Sequence, residues 1–123
     1  MKALKMLVLL AVCLLMTGLA VAKLNQYGVS DTDKVTFTEP MKVGVTVLPA
    51  GDYSVTHTME GENHIMVFKQ LNVKSPAEAK AKCTLVKLAT KADTSSQLYT
   101  HDAANAHVLQ ELTFKGETAK HVF

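Results

Sequence analysis

Hydrophobic and polar residues alternate with a period of two along most of the chain after residue 33. Val35 and Phe37 alternate with polar neighbours, and the same pattern recurs in residues 41–48 and 52–59. This period places successive side chains on opposite faces of a β-strand. Valine and threonine are abundant in these stretches and favour strands too, because β-branched side chains suit a pleated surface.

Turn residues separate the alternating stretches. Pro49 presets φ at a corner, and Gly51 can adopt positive φ where the next strand begins. The pattern predicts an antiparallel three-strand meander over residues 41–48, 52–59 and 64–72. The third strand is apolar on both faces, so we expect it to be central in its sheet or covered on both sides.

Residues 75–91 admit two interpretations. Ser75, Pro76 and Glu78 are typical of a helix start, and the alanine and lysine residues that follow have high helix propensity. However, alanines, Cys83 and Leu85 alternate strictly with polar residues, which favours a strand. We predict a strand that is compatible with a helical first turn at residues 76–80, and leave helix against strand open over residues 76–90.

The remaining pattern completes an all-β domain. Short strands at residues 98–101 and 107–114 flank a turn, and residues 117–123 close the chain. Many short strands at close spacing predict a small antiparallel sandwich or barrel of seven to eight strands. This single domain covers residues 34–123 and follows a flexible lead-in at residues 23–33.

Residues 1–22 have the layout of an export signal. Lys2 and Lys5 precede an apolar run at residues 6–16, which is too short to span a bilayer as a stable anchor. Ala20 and Ala22 occupy the small-residue positions of a cleavage site. We predict a signal helix that is removed after Ala22 and a secreted or periplasmic mature protein without a stable membrane span. An uncleaved anchor helix is the alternative.

Composition argues against several functions. The chain has 13 basic residues, all lysine, and 11 acidic residues; two lysines leave with the signal, so the mature protein is formally neutral. Neutrality and the absence of arginine argue against nucleic-acid binding. No nucleophile elbow, P-loop, dinucleotide fingerprint or HExxH motif occurs. We therefore predict a protein without catalytic residues or cofactor, a binding or structural module whose partner is a protein or another envelope component.

The histidines are the best candidates for chemistry. In the hairpin of residues 52–72, Met59 would face His64, which places His57 diagonally opposite on the same face. His101 and His107 bracket a turn that contains Asp102, and two imidazoles with a carboxylate could hold a divalent metal ion. Weak metal binding is therefore the alternative function, and ordinary strand histidines are the competing explanation. His121 could join a cluster only through tertiary contacts.

Cys83 is the only cysteine outside the predicted signal. The alternation places it on the apolar face of its strand with Ala79, Ala81 and Leu85. We predict a buried free thiol that packs as a small hydrophobic side chain. An intermolecular disulfide or a reactive thiol is the alternative.

Three short motifs resemble a pattern of small exported bacterial all-β proteins of unknown function. They are F-x-x-P at residues 37–40, L-P-A-G-x-Y at residues 48–53, and F-x-G-E at residues 114–117 with a final V-F. The resemblance covers most of residues 34–123 and consists of turns and core aromatics. It implies an all-β fold and an envelope or extracellular setting, and it assigns no catalytic residue.

Overall fold

The computed structural model describes residues 24–123, so the predicted signal helix and its cleavage site lie outside the described residues. The described part is all-β and contains no helix, which confirms the predicted class. Among these residues no helix is long and apolar enough to cross a membrane. The strands are β1 (Thr32–Phe37), β2 (Met41–Val43), β3 (Thr46–Leu48), β4 (Gly51–Glu60), β5 (Asn63–Gln70), β6 (Glu78–Lys87), β7 (Ser96–His101), β8 (His107–Thr113) and β9 (Ala119–Val122).

The nine strands form one mixed sheet in the order β1-β4-β5-β6-β9-β8-β2-β3. β7 pairs along the length of β8, so β9 and β2 share the opposite edge of β8. Every pair is antiparallel except β2 with β8, where Met41 lies opposite His107 in a parallel register. The prediction of a purely antiparallel sheet is therefore wrong at this pair.

The sheet curls around one core but does not close. β1 pairs only with β4, and β7 pairs only with β8. These two edges meet through a side chain, because the Gln97 amide donates to the carbonyl oxygen of Thr36 over 2.9 Å. The fold is thus an open sheet with a seam between its edges, and not a closed barrel. Its nine strands exceed the seven to eight predicted from the sequence.

Alternate residues of the strands build the core. Its largest fully buried side chains are Tyr53, Phe37, Phe68, Leu48 and Met66. The inward residues in the first part of β6 are all small: Ala79, Ala81 and Cys83. Their size allows the turn between β2 and β3 to approach closely, since a Cβ added at Gly44 would lie 3.5 Å from the Ala81 Cβ.

Residues 41–48 form a tight hairpin and not the single strand that the sequence predicts. Val43 lies opposite Thr46, so Gly44 and Val45 make a two-residue turn. Gly44 has a φ of 61°, which this type of turn requires and glycine adopts at no steric cost. The alternating valines do not share a face, because Val43 is buried while Val45 and Val47 are exposed.

The predicted meander is half correct. β4 and β5 form the expected hairpin with Met59 opposite His64, and β5 is central between β4 and β6. β4 pairs on its other side with β1 and not with the preceding strand β3. At the predicted turn, Gly51 has a φ of 151°, and the Tyr53 hydroxyl donates to the carbonyl oxygen of Pro49 over 2.6 Å.

The ambiguous segment is a strand. β6 pairs with β5 along one edge and with β9 along the other. No helical turn forms at residues 76–80. Sheet pairing on both sides and burial of the alanine face outweigh the intrinsic helix propensity of the segment.

The first described residues, predicted as part of a flexible lead-in, pack on the sheet. The N–H of Thr118 donates to the carbonyl oxygen of Gly28 over 2.8 Å, and Val29 is fully buried. The Asn25 side chain accepts from the N–H of Tyr27 over 2.9 Å. We call residues 24–31 the N-terminal cap, because they cover one end of the sheet interior.

Candidate functional site

The inward faces of four strands are apolar through most of the interior but polar beneath the N-terminal cap. The alternation that buries Val35 and Phe37 brings Asp33 to the same face of β1. In the described residues, all three buried polar or charged side chains belong to this region. The five polar residues, which we call the histidine end, are Asp33, His57, His64, Glu117 and His121.

β4 and β5 bring two histidines of this region into contact. His57 lies opposite Met66, and His64 lies opposite Met59, so the two imidazoles are diagonal neighbours on the inward face, as predicted. His57 Nε2 and His64 Nδ1 share a hydrogen bond of 3.0 Å, and the rings are nearly parallel with centroids 5.1 Å apart. His57 is 7% exposed, whereas His64 is half-buried and connects the pair to the surface.

Tyr27 of the N-terminal cap covers this pair. Its ring meets the His64 ring edge to face, with centroids 4.7 Å apart. A cleft of about 600 Å³ opens beside the two rings. It combines apolar, hydrogen-bonding and cationic groups, and its lining residues include Leu24, Tyr27, His64, Leu85, Lys87 and Thr118. The cleft gives solvent a route to the histidine pair.

Behind this pair, Glu117 ties β9 to the N-terminal cap. The His121 Nε2–H donates to Glu117 Oε1 over 3.1 Å, and the Ser30 N–H donates to Oε2 over 2.9 Å. Asp33 shares a further hydrogen bond with Glu117. The Glu117 carboxyl group, which has no exposed surface, therefore has three neighbours: Ser30 and Asp33 from the start of the described chain, and His121 from its end.

Burial shifts the pKa values of these groups toward their neutral forms. Burial first, and then the hydrogen bond and charge of Glu117, raise the pKa of Asp33 to about 8. The charge of His121 acts in the opposite direction and lowers it. Burial also raises the pKa of Glu117, opposed by its bonds to Asp33 and Ser30. It lowers the pKa of His121 to about 4, opposed by the charge of Asp33. The pKa of His57 is lowered by burial and then by its two histidine neighbours.

These shifts favour particular protonation states at pH 7. The raised pKa of Asp33 favours a protonated carboxyl that donates to Glu117, and the lowered pKa of His121 favours a neutral ring, whose contact with Glu117 assigns the proton to Nε2. His121 Nδ1 is then a bare acceptor, and it is the one buried side-chain nitrogen or oxygen in residues 24–123 without a hydrogen-bond partner. Its ring lies against Phe114 and His57, with centroids 5.6 Å and 5.9 Å away.

The second histidine cluster of the sequence is only partly assembled. The rings of His101 and His107 are 4.6 Å apart, and Tyr99 stacks on His107. The Asp102 carboxylate instead accepts from two backbone N–H groups of its own turn, and His107 Nδ1 lies 3.1 Å from Glu39 Oε2. Within residues 24–123 no group of three or more His, Cys, Asp or Glu side chains could hold a metal ion.

Cys83 lies where the alternation places it. It is 2% exposed and forms no disulfide, on the inward face of β6 opposite His64. Burial raises the pKa of its thiol to about 11. A buried thiol with a raised pKa carries almost no thiolate at pH 7, so it packs as an apolar side chain.

Sequence reasoning missed Asp33 and Glu117 altogether. Even spacing along the chain could identify them, because residues two or four positions apart in a strand share a face. Asp33 is two residues before Val35, and Glu117 is two residues before Ala119 and four before His121. A polar residue in the inward register of a strand is the informative exception. This spacing alone does not reveal which strands are neighbours in the sheet.

No protein family model, curated protein or solved structure matches this chain. The histidine end and its cleft are therefore the basis for a functional hypothesis.

Proposed function

We propose that this protein is a non-enzymatic binding protein of the periplasm or the extracellular space, and that it takes a small ligand at the histidine end through the cleft beside Tyr27. The observation that carries the proposal is the polar end of an otherwise apolar interior, connected to solvent at His64. The mixed lining of the cleft fits a ligand that combines an apolar part with a hydrogen-bonding group.

Energetics support a role beyond folding for this region. A buried polar group without a partner costs about 1–3 kcal/mol, and His121 Nδ1 is such a group. The same ring donates to the buried Glu117, so the fold retains His121 although one of its nitrogens has no partner. Local conflicts of this kind are expected at functional or strained sites.

The surroundings of His121, the residue best placed to act as a base, favour binding over catalysis. Glu117 orients His121 as an acidic residue orients a catalytic histidine. The free nitrogen of His121, however, contacts no hydroxyl or thiol in the described part of the chain. Cys83 is buried with a raised pKa, so its thiol is a poor nucleophile.

The setting outside the cytoplasm is supported by the sequence of residues 1–22 and by the resemblance to small exported proteins. A formally neutral mature chain with one buried cysteine is compatible with an oxidising compartment, because it exposes no thiol.

Nuclear magnetic resonance can test the ligand site directly. A library of small aromatic and aliphatic acids and amides is added to the ¹⁵N-labelled protein, and saturable shifts are mapped. We expect them at residues 24–28, 85–87 and 118–119, and we expect His64→Ala to weaken them. The matched control is His107→Ala, which alters a separate cleft of about 290 Å³. Saturable shifts at that second cleft, or at no cleft, would contradict the proposal.

A further inference from the structure

We propose that the cleft beside Tyr27 binds an elongated ligand with a single carboxylate, which pairs with Lys87, and an apolar body, which lies on Leu85. The inference rests on the proposed ligand site and names the class of ligand that this site takes. It stands on the charges that line the cleft, on the register of β6 with its neighbours, and on the two rings at the far end.

The cleft is lined by a cation without a matching anion. Among the described residues that line it, Lys87 is the only lysine, and none is an aspartate or a glutamate. Within residues 24–123 Lys87 forms no salt bridge, whereas Lys80 and Lys120 each pair with a glutamate. One ammonium group balances one negative charge, so the lining favours a ligand with a single anionic group.

Two acidic residues adjoin the segments that line the cleft, but neither of them lines it. The carboxylate of Asp31 accepts from the side-chain amide of Asn25 over 3.0 Å. Glu117, which precedes the lining residue Thr118, has no exposed surface. Neither carboxyl group therefore occupies the place of an anion beside Lys87.

The register of the sheet makes the cleft elongated. Cys83, Leu85 and Lys87 share one face of β6, because they are two residues apart in a strand. His64 lies opposite Cys83, and Ala119 lies opposite Lys87. Since four residues separate Cys83 from Lys87, the two positions are about 13 Å apart along the strand. A ligand whose carboxylate meets Lys87 therefore extends over Leu85 toward His64.

The far end of the cleft offers ring surface to the apolar body. The rings of Tyr27 and His64 meet edge to face with centroids 4.7 Å apart, and Leu24 also lines the cleft. His64 Nδ1 already shares a hydrogen bond of 3.0 Å with His57. Aromatic side chains bury much apolar area, so this end suits an aromatic or aliphatic group. The cleft volume of about 600 Å³ is in the range of small-molecule sites.

Three probes of nearly the same shape and different charge test the inference. Cinnamate is anionic, cinnamamide is neutral, and cinnamylamine is cationic at neutral pH. Each is titrated into the ¹⁵N-labelled protein at low salt, and saturable shifts at residues 85–87 and 118–119 give its affinity. We expect cinnamate to bind at least about threefold more tightly than cinnamamide, and cinnamylamine to bind most weakly, because an ion pair with a partly exposed lysine adds a modest attraction. Added salt should reduce the advantage of cinnamate.

Variants of Lys87 assign the charge preference to this side chain. Lys87→Gln should remove the difference between cinnamate and cinnamamide and leave the affinity for cinnamamide unchanged. Lys87→Glu should reverse the order, so that cinnamylamine binds most tightly. The matched control is Lys91→Gln, which changes an exposed lysine outside the lining of the cleft and should bind all three probes as the native protein does.

The outcomes separate this inference from the proposed function. Equal affinities of the native protein for cinnamate and cinnamamide would overturn the carboxylate preference, and so would a folded Lys87→Glu that still prefers cinnamate. If cinnamamide binds in the cleft in either case, the proposed ligand site stands without that preference. If neither these probes nor the wider library of acids and amides shifts the cleft residues, both proposals fail.

Discussion

Asp33 should make the protein less stable as the pH rises, and Asp33→Asn should remove this effect. The folded state favours the protonated carboxyl, because burial raises its pKa from 3.8 to about 8. The stabilisation by the proton is complete below pH 4, where folded and unfolded chains are both protonated. It is lost progressively as the pH rises toward 8, since the unfolded chain releases its proton and the folded chain does not.

The size of the effect follows from the shift. Each pH unit between the two pKa values costs about 1.4 kcal/mol, so the full window corresponds to at most about 6 kcal/mol. Asp33 is half-buried and shares its proton with Glu117, so water and this partner reduce the cost. We therefore expect Asp33 to lower the free energy of unfolding by about 2 kcal/mol between pH 4 and pH 8. Asparagine has the shape of the protonated acid and can donate to Glu117, but it never ionises.

Urea denaturation at pH 4.5, 6 and 8 measures the difference. With a slope of about 1–2 kcal/mol per molar urea, 2 kcal/mol shifts the midpoint by about 1–2 M. Asp33→Asn should match the native protein at pH 4.5 and exceed it at pH 8. His121 faces Asp33 and is retained in both proteins, so its own titration largely cancels in the comparison. The control is Asp93→Asn at an exposed position, which should behave as the native protein throughout. A difference that does not change with pH would refute the reasoning.

Three further predictions concern the N-terminus, the turn at Gly51 and the thiol of Cys83. Intact mass of the protein recovered outside the cytoplasm should give Lys23 as the first residue; a mass that includes residues 6–16 would support an anchored form. Gly51→Val should lower the free energy of unfolding by about 1–3 kcal/mol, because φ is 151° and the new Cβ would lie 3.1 Å from the Gln70 amide nitrogen; an unchanged urea midpoint would contradict this. Labelling of Cys83 with a disulfide reagent should be slow in the native protein and fast in denaturant, since its pKa of about 11 leaves about a hundredfold less thiolate than the ordinary value of 9.0; rapid native labelling would place the thiol at the surface.

Local patterns were sufficient for several elements of the fold. β4 follows from alternation, β5 from an apolar run between turns, and the turn at Gly51 from the conformational freedom of glycine. Alternation favoured a strand at β6 but left a helix open there. Alternation failed at residues 41–48, where Gly44 reverses the chain within an apparently continuous strand. A glycine in a strand pattern can mark either a strand position or a turn, and packing against Ala81 on β6 favours the turn here.

Some features of the candidate sites could likewise be predicted from the sequence, and others could not. The contact of His57 with His64 follows from one local hairpin, because register within a hairpin is fixed by its turn. The cluster around His101 could be predicted from sequence as two neighbouring histidines, but the capture of Asp102 by its own turn could not. Short carboxylates often accept from nearby backbone N–H groups, and this competes with binding an ion.

By itself, the sequence determined the strand periodicity, the turn chemistry and the signal-like composition of residues 1–22, since each depends on residues that are close along the chain. Only the tertiary structure decided that β2 runs parallel to β8, and that Glu117 receives the N–H of Ser30, which is 87 positions away. The protonation of Asp33 and His121 was likewise decided only by the tertiary structure. A pKa shift depends on how much water and which charges surround a group, and the folded chain alone brings those surroundings together.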